Sequence, residues 1–207
     1  MIILSRAPYD QIAAEFAKLR NSLWPKEKEY LDLVVEHLKP RDEILDLGCG
    51  SGTPIAVYLD KLGFSIYGVD ASKELLAIAK KSLPKRHWKL GDMEKLELNR
   101  EYAAVICWDS LFHLPRAEHP KILRNIHCWL QPGGRLMLSS GGIVEDELGF
   151  TDKMFNHEFY YDSLPIEQLT KTLEEIGFEI VLSEMIDLPD GAQNKGKRAT
   201  IAQKLNK

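Results

Sequence analysis

The segment Asp46-Leu47-Gly48-Cys49-Gly50-Ser51-Gly52-Thr53-Pro54 constrains this chain more than any other. It follows the short apolar run Glu43-Ile44-Leu45-Asp46-Leu47 and precedes a helical stretch, residues 53–62, that stops at Gly63. Three alternate glycines between a strand and a helix let the backbone turn tightly and approach a ligand closely. The helix start adds free N–H groups, and open α/β sheets bind ligands at the carboxyl ends of their strands. A dinucleotide wants Gly-x-Gly-x-x-Gly, and the third glycine position is here Thr53. The carboxylate of Asp46 weighs further against a pyrophosphate. At about 4 Å and an effective dielectric near 20, two like charges repel by roughly 4 kcal/mol, an upper guide. The same carboxylate attracts a cation by a similar amount.

The rest of the chain supplies a sheet for this loop. Residues 64–70 alternate as a strand, and Ser72 reads as the N-cap of a helix carrying Leu75, Leu76, Ile78 and Ala79. Residues 87–90 form a short strand, and residues 103–108 a continuous apolar one of the kind buried on both faces of a parallel sheet. A helix through Ile122, Leu123, Ile126 and Leu130 ends at Pro132-Gly133-Gly134, and residues 135–139 make a fifth strand. Strands alternating with helices imply right-handed βαβ units and a doubly wound sheet. The tail breaks the alternation. After a helix through Leu169, Leu173 and Ile176 come a strand at 179–183, a turn-rich link at 187–196 and a strand at 198–203. Two strands with no room for a helix between them pair antiparallel. The first 39 residues read as helical, the second helix starting at Pro25 and stopping at Pro40.

S-adenosylmethionine suits the loop: it carries an ammonium and a sulfonium, and no phosphate. Asp70 ends the second strand about 20 positions past the first glycine, where an acid accepts both ribose hydroxyls. Asp70 alone does not separate NAD from S-adenosylmethionine, since both carry that ribose. Asp92, in Gly91-Asp92-Met93, ends the third strand; its carboxylate can accept from an adenine amino group, with Met93 against the ring.

At this point the sequence resembles the class I S-adenosylmethionine-dependent methyltransferases of small-molecule type. The likeness rests on residues 44–52, Gly68-Val69-Asp70, Gly91-Asp92-Met93, residues 108–114 and Leu130-Gln131-Pro132-Gly133-Gly134. It implies a Rossmann-like, doubly wound, seven-stranded α/β sheet, mostly parallel with a C-terminal antiparallel hairpin and helices on both faces. It implies that Gly48, Gly50 and Gly52 approach the methionine part, Asp70 the ribose, and Asp92 with Met93 the adenine. Asp46, Cys49, Ala71, Gly91, Trp108 and Asp109 join the cofactor-contacting set, and Tyr9 helps close over the cofactor, whose product form is S-adenosylhomocysteine. The division that follows is an N-terminal helical cap segment, 1–40, and a methyltransferase domain, 41–207.

Methyl transfer from a sulfonium is an in-line displacement whose rate comes mostly from alignment. A base is needed only if the acceptor holds its proton at neutral pH. His113, on the stretch after the fourth strand, is the first candidate; Tyr161 and Tyr160 follow. The long segment 141–164 carries Met154, Phe155, His157, Phe159, Tyr160 and Tyr161, an aromatic set fit for a pocket wall. Asp109-Ser110-Leu111-Phe112 differs from the Asn-Pro-Pro-Tyr of base-amine methylating enzymes, no Pro-Cys pair is present, and the Asp-Asn pair of metal-assisted catechol-type enzymes is missing. A small-molecule acceptor remains, and no metal is expected. The alternatives are a non-catalytic S-adenosylmethionine-binding protein and an NAD-dependent oxidoreductase.

Charge agrees with that narrowing. Lys+Arg is 27 against Asp+Glu 31, a net charge of −4, which argues against a nucleic-acid partner held by phosphate neutralisation. No apolar run is long enough to span a bilayer, and the opening residues lack the pattern of an export signal. Cys49, Cys107 and Cys128 have no paired spacing, which reads as reduced thiols in the cytoplasm.

Overall fold

The structure, a computed structural model, describes residues 7–142, 149–188 and 196–206. Two helices come first, α1 (Tyr9–Leu19) and α2 (Pro25–Val35). Then follow β1 (Glu43–Leu47), α3 (Ile55–Lys61), β2 (Ser65–Asp70), α4 (Lys73–Ser82), β3 (His87–Leu90), β4 (Tyr102–Cys107), α5 (His119–Trp129) and β5 (Leu130–Gly141). A hairpin, β6 (Phe150–Met154) and β7 (His157–Tyr161), precedes α6 (Ile166–Ile176), β8 (Phe178–Asp187) and β9 (Lys197–Lys204).

Seven strands form one sheet in the order β3-β2-β1-β4-β5-β9-β8. The first five pair in parallel, and β9 is antiparallel to both β5 and β8. The doubly wound architecture with its antiparallel C-terminal pair is the one the sequence implies. All six residues of β4 are buried, as its unbroken apolar run requires of a strand covered on both faces. Alternation then divides the core. Leu45, Val105 and Leu136 face α5 and α6, while Ile44, Ile106 and Met137 face α2 and α3.

Three local features depart from the reading above. Helix α3 starts at Ile55 rather than Thr53. Pro132-Gly133-Gly134 does follow a helix end, yet it lies within β5, because Leu130 already pairs with Tyr102 across a register shift. The segment 141–164 is not a plain loop. Its β6–β7 hairpin turns at Phe155-Asn156, both at positive φ (49° and 62°), a pairing whose twist suits a two-residue hairpin. Part of that segment, 143–148, lies outside the described residues, as do Pro189 and Asp190-Gly191 of the link before β9. Among the described residues no helix is long and apolar enough to cross a membrane.

Candidate active site

A cavity of about 470 Å³ opens at the carboxyl ends of β1 to β4, beneath α1. Of the cofactor-contacting and proton-accepting residues nominated from the sequence, all but Gly52, Tyr160 and Tyr161 line it, and none of the aromatic set between 154 and 161 expected to form a pocket wall does so. Gly52 faces protein instead: a Cβ there would fall 2.8 Å from the Trp88 ring. Gly48, at φ +81°, is similarly crowded, since a Cβ would meet that of Ser110 at 2.3 Å. Gly50 alone of the three has space beside it, with nothing nearer than 3.9 Å. The alternate glycines therefore serve packing at two positions and an open approach at one.

The loop's N–H groups are largely committed. Gly48 N and Cys49 N donate to Val69 O (2.8 and 3.0 Å), and Gly52 N to Cys49 O (2.9 Å). Gly50 N donates to Asp70 Oδ2 at 2.7 Å. A diphosphate cradle needs such donors free, so the dinucleotide alternative loses its physical basis here. Asp70 is fixed from two sides, as Ser72 N also donates to its Oδ1 at 2.7 Å. Ser72 in turn caps α4, its hydroxyl accepting from Leu75 N at 3.1 Å and donating to Asp10 of α1 at 2.6 Å.

Asp46 is 3% exposed, lines the cavity, and has no hydrogen-bond partner among the described residues. Burial, with repulsion from Asp70 and against the pull of Arg20, raises its carboxyl to about 7. A buried, unpartnered carboxylate facing a cavity asks for a cation. Together with the doubly anchored Asp70, it fits the ammonium and ribose of S-adenosylmethionine.

At the other end of the cavity stand Tyr9 and His113. Nδ1 of His113 lies 3.0 Å from the Tyr160 carbonyl, which only accepts, so this nitrogen carries the proton. Burial holds the imidazole neutral by lowering its pKa, against the Tyr160 carbonyl and Asp109. Nε2 therefore accepts from the Tyr9 hydroxyl at 2.9 Å. Burial, with Tyr161 and Asp109 nearby, raises the Tyr9 pKa and keeps that hydroxyl protonated. Phe159 backs both rings, at 5.0 Å from Tyr9 and 5.6 Å from His113. Tyr161 lies behind His113, stacked between Phe112 and Phe150, and does not reach the cavity.

Ser139, Lys197, Arg20 and Glu27 carry no motif. Asp109 adopts φ +52°, a conformation uncommon for a non-glycine residue. Ser139 Oγ accepts from its N–H at 2.7 Å, and Lys197 of β9 pairs with its carboxylate. Arg20 of α1 lines the cavity and pairs with Glu27 of α2, itself 1% exposed. Glu27 also accepts from Trp108 Nε1 (2.8 Å) and from Trp24 N (3.1 Å). The one sequence sign was Trp24-Pro25-Lys26-Glu27, a helix start with an acid at its third position.

Residues 44–134 match the family profile described as a methyltransferase domain. The chain is 32% identical over 163 residues to an uncharacterized methyltransferase of Synechocystis sp., covering 75% of this chain and 76% of that one. It is 27% identical over 197 residues to the ubiquinone biosynthesis O-methyltransferase of Rickettsia bellii, covering 80% of each. In fold it resembles a crystal structure of a SAM-dependent methyltransferase from Methanosarcina mazei, with a TM-score of 0.71 and 24% identity over 90% of this chain and all of that one. The chain belongs to the class I S-adenosylmethionine-dependent methyltransferases.

Proposed function

We propose that this methyltransferase acts on a small organic acceptor, with His113 as the group that receives the acceptor's proton. The observation that carries this reading is the Tyr9–His113 hydrogen bond, which joins α1 to the turn after β4 across the end of the cavity. A space bounded in this way suits a compact molecule better than a duplex or a folded protein. Bound S-adenosylmethionine supplies a sulfonium-activated methyl group; in-line displacement forms the acceptor–CH3 bond and leaves the S–CH3 electron pair on sulfur.

The chain's own residues hold and aim. Asp46 attracts the ammonium, Asp70 accepts from the ribose, and Asp92 with Met93 receives the adenine. Gly50 allows close approach, and Trp108 and Asp109 border the acceptor side. The acceptor's proton passes to the Tyr9 oxygen as the Tyr9 proton moves to His113 Nε2. The resulting imidazolium is held by the Tyr160 carbonyl. Tyr161 keeps His113 in place by ring contact at 4.9 Å. Of the cap segment 1–40, the described residues, 7–40, serve as the cover of a cofactor domain beginning near residue 41. The three cysteines carry free thiols, in keeping with a cytoplasmic setting.

The test is transfer of label from methyl-labelled S-adenosylmethionine to a cell extract split into small-molecule and macromolecular fractions. Label is expected in the small-molecule fraction, falling by 100-fold or more with His113→Ala, a typical general-base effect. Label confined to protein or nucleic acid would contradict the proposal.

A further inference from the structure

Trp108 and Asp109 line the cavity, and both meet Lys197, the first residue of β9. The Lys197 ammonium pairs with Asp109 Oδ1 and stands 4.8 Å from the centroid of the Trp108 ring and 5.1 Å from that of Trp24. Two indole rings and a carboxylate around one point make a receptor for an ammonium group, and here the chain supplies the ammonium itself. We propose that Lys197 sets the acceptor class, an inference that rests on the acceptor side as read above. By filling the Trp24–Trp108–Asp109 cage with its own charge, it closes that end to cationic amines and leaves it to an uncharged group such as a hydroxyl.

Every wall of the cage is anchored. Trp24 N and Trp108 Nε1 donate to the same buried carboxylate, Glu27, at 3.1 and 2.8 Å. Asp109, at φ +52°, is held by Ser139 Oγ, which accepts from its N–H at 2.7 Å and donates to its Oδ1 at 3.3 Å. A backbone conformation of that kind persists where the surroundings over-determine it. The Lys197 side chain is only 17% exposed and does not itself line the cavity, so its ammonium stands behind Trp108 and Asp109. Both carboxylates at this end are thus neutralised by cations of the chain, Asp109 by Lys197 and Glu27 by Arg20. An incoming ammonium would find each acid already paired and a like charge behind Asp109, the repulsive element that rejects a wrong ligand. A hydroxyl meets no such penalty, and Asp109 Oδ2, with no hydrogen-bond partner among the described residues, remains to accept from it. A hydroxyl also holds its proton at neutral pH, the case in which a base such as His113 is needed.

Emptying the cage tests the assignment without knowledge of the acceptor. Lys197→Ala deletes the atoms of a propylammonium ion, so that ion is the probe and 1-propanol its neutral counterpart. Binding is followed by NMR on the indole N–H signals of the tryptophans. The variant is expected to bind propylammonium about 10-fold or more tighter than wild type does, and to prefer it to 1-propanol by about the same factor, the scale of a desolvated cation–π contact. Lys197→Arg, which keeps the cage filled, is expected to stay at the wild-type level. Equal binding by wild type, or no preference for the cation in Lys197→Ala, would overturn the proposal. Wild-type protein supplies an arm that needs no variant. With a carbon-13 methyl donor, the small-molecule products from a cell extract should carry the label on oxygen, carbon or sulfur. The N-methyl resonance of an aliphatic amine would overturn the proposal and leave the small-acceptor reading intact. Label found only on macromolecules would overturn that reading, and with it the assignment of Lys197 to an acceptor site.

Discussion

Burial lifts the Asp46 carboxyl to about 7, so the ligand-free fold works against its ionisation. In the unfolded chain this group ionises in the usual carboxylate range. Folded protein thus binds the extra proton between about pH 4 and 7, and its stability falls as pH rises through that window, then levels off. At about 1.4 kcal/mol per unit the loss has a ceiling of roughly 4 kcal/mol. Asp46→Asn removes it. Thermal denaturation without ligand should show the variant melting above wild type at pH 8 and with it at pH 4; a variant less stable at pH 8 would contradict this. Asp70 behaves differently, since it already accepts from Gly50 N and Ser72 N. Asp70→Ala should weaken S-adenosylhomocysteine at least 10-fold by calorimetry, through two lost charge-assisted hydrogen bonds. Unchanged affinity would mean the ribose lies elsewhere.

Among the elements, the β6–β7 hairpin stands outside the main sheet and is held to the turn after β4. Asp162 N donates to Phe112 O at 2.8 Å. The Asp162 carboxylate accepts from Arg116 N, Arg116 Nε and Tyr160 Oη (2.8, 2.6 and 3.0 Å). Removing one partner of so buried a pair costs roughly 3 kcal/mol. Asp162→Ala should lower stability by about that amount and speed hydrogen exchange in residues 150–161 before the main sheet responds. Uniform exchange would show that the anchor is not there. This hairpin was hidden in the sequence because Phe155-Asn156 lacks the glycine that marks most such turns. The parallel strands were legible because βαβ periodicity and the helix stops at Gly63 and Pro132 are local signals. Gly52 was misleading for the opposite reason: its neighbour, Trp88, is distant in sequence, and only the folded chain reveals that the glycine makes room for a ring.

At the scale of the whole molecule, the carboxyl ends of four strands and one helix beyond the sheet share the cavity. The sheet's part could be read from motifs at 46–52, 70 and 91–93. The contributions of Arg20, Glu27 and Lys197 could not, because isolated charged residues at helix ends and strand starts look like solvated surface until long-range packing buries them. The N-terminal segment is also built into the core. Tyr30, Leu31 and Val34 of α2 are fully or nearly fully buried against β1 and β4. Deleting residues 1–40 would therefore expose that face of the sheet, and the shortened chain should lose its cooperative thermal transition. A sharp transition near that of the full chain would show the cap to be separable.

The most direct measurement is the affinity for S-adenosylhomocysteine between pH 6 and 8, by calorimetry, for wild type and Asp46→Asn. The groups around Asp46 are Asp70 at the end of β2 and Arg20 after α1, the two that bear on its protonation. An ammonium beside Asp46 requires its ionised form, so affinity should rise about 10-fold across this range in wild type. It should stay flat in the variant. Wild-type affinity independent of pH, or a variant that follows the same curve, would contradict the placement of a cation against Asp46.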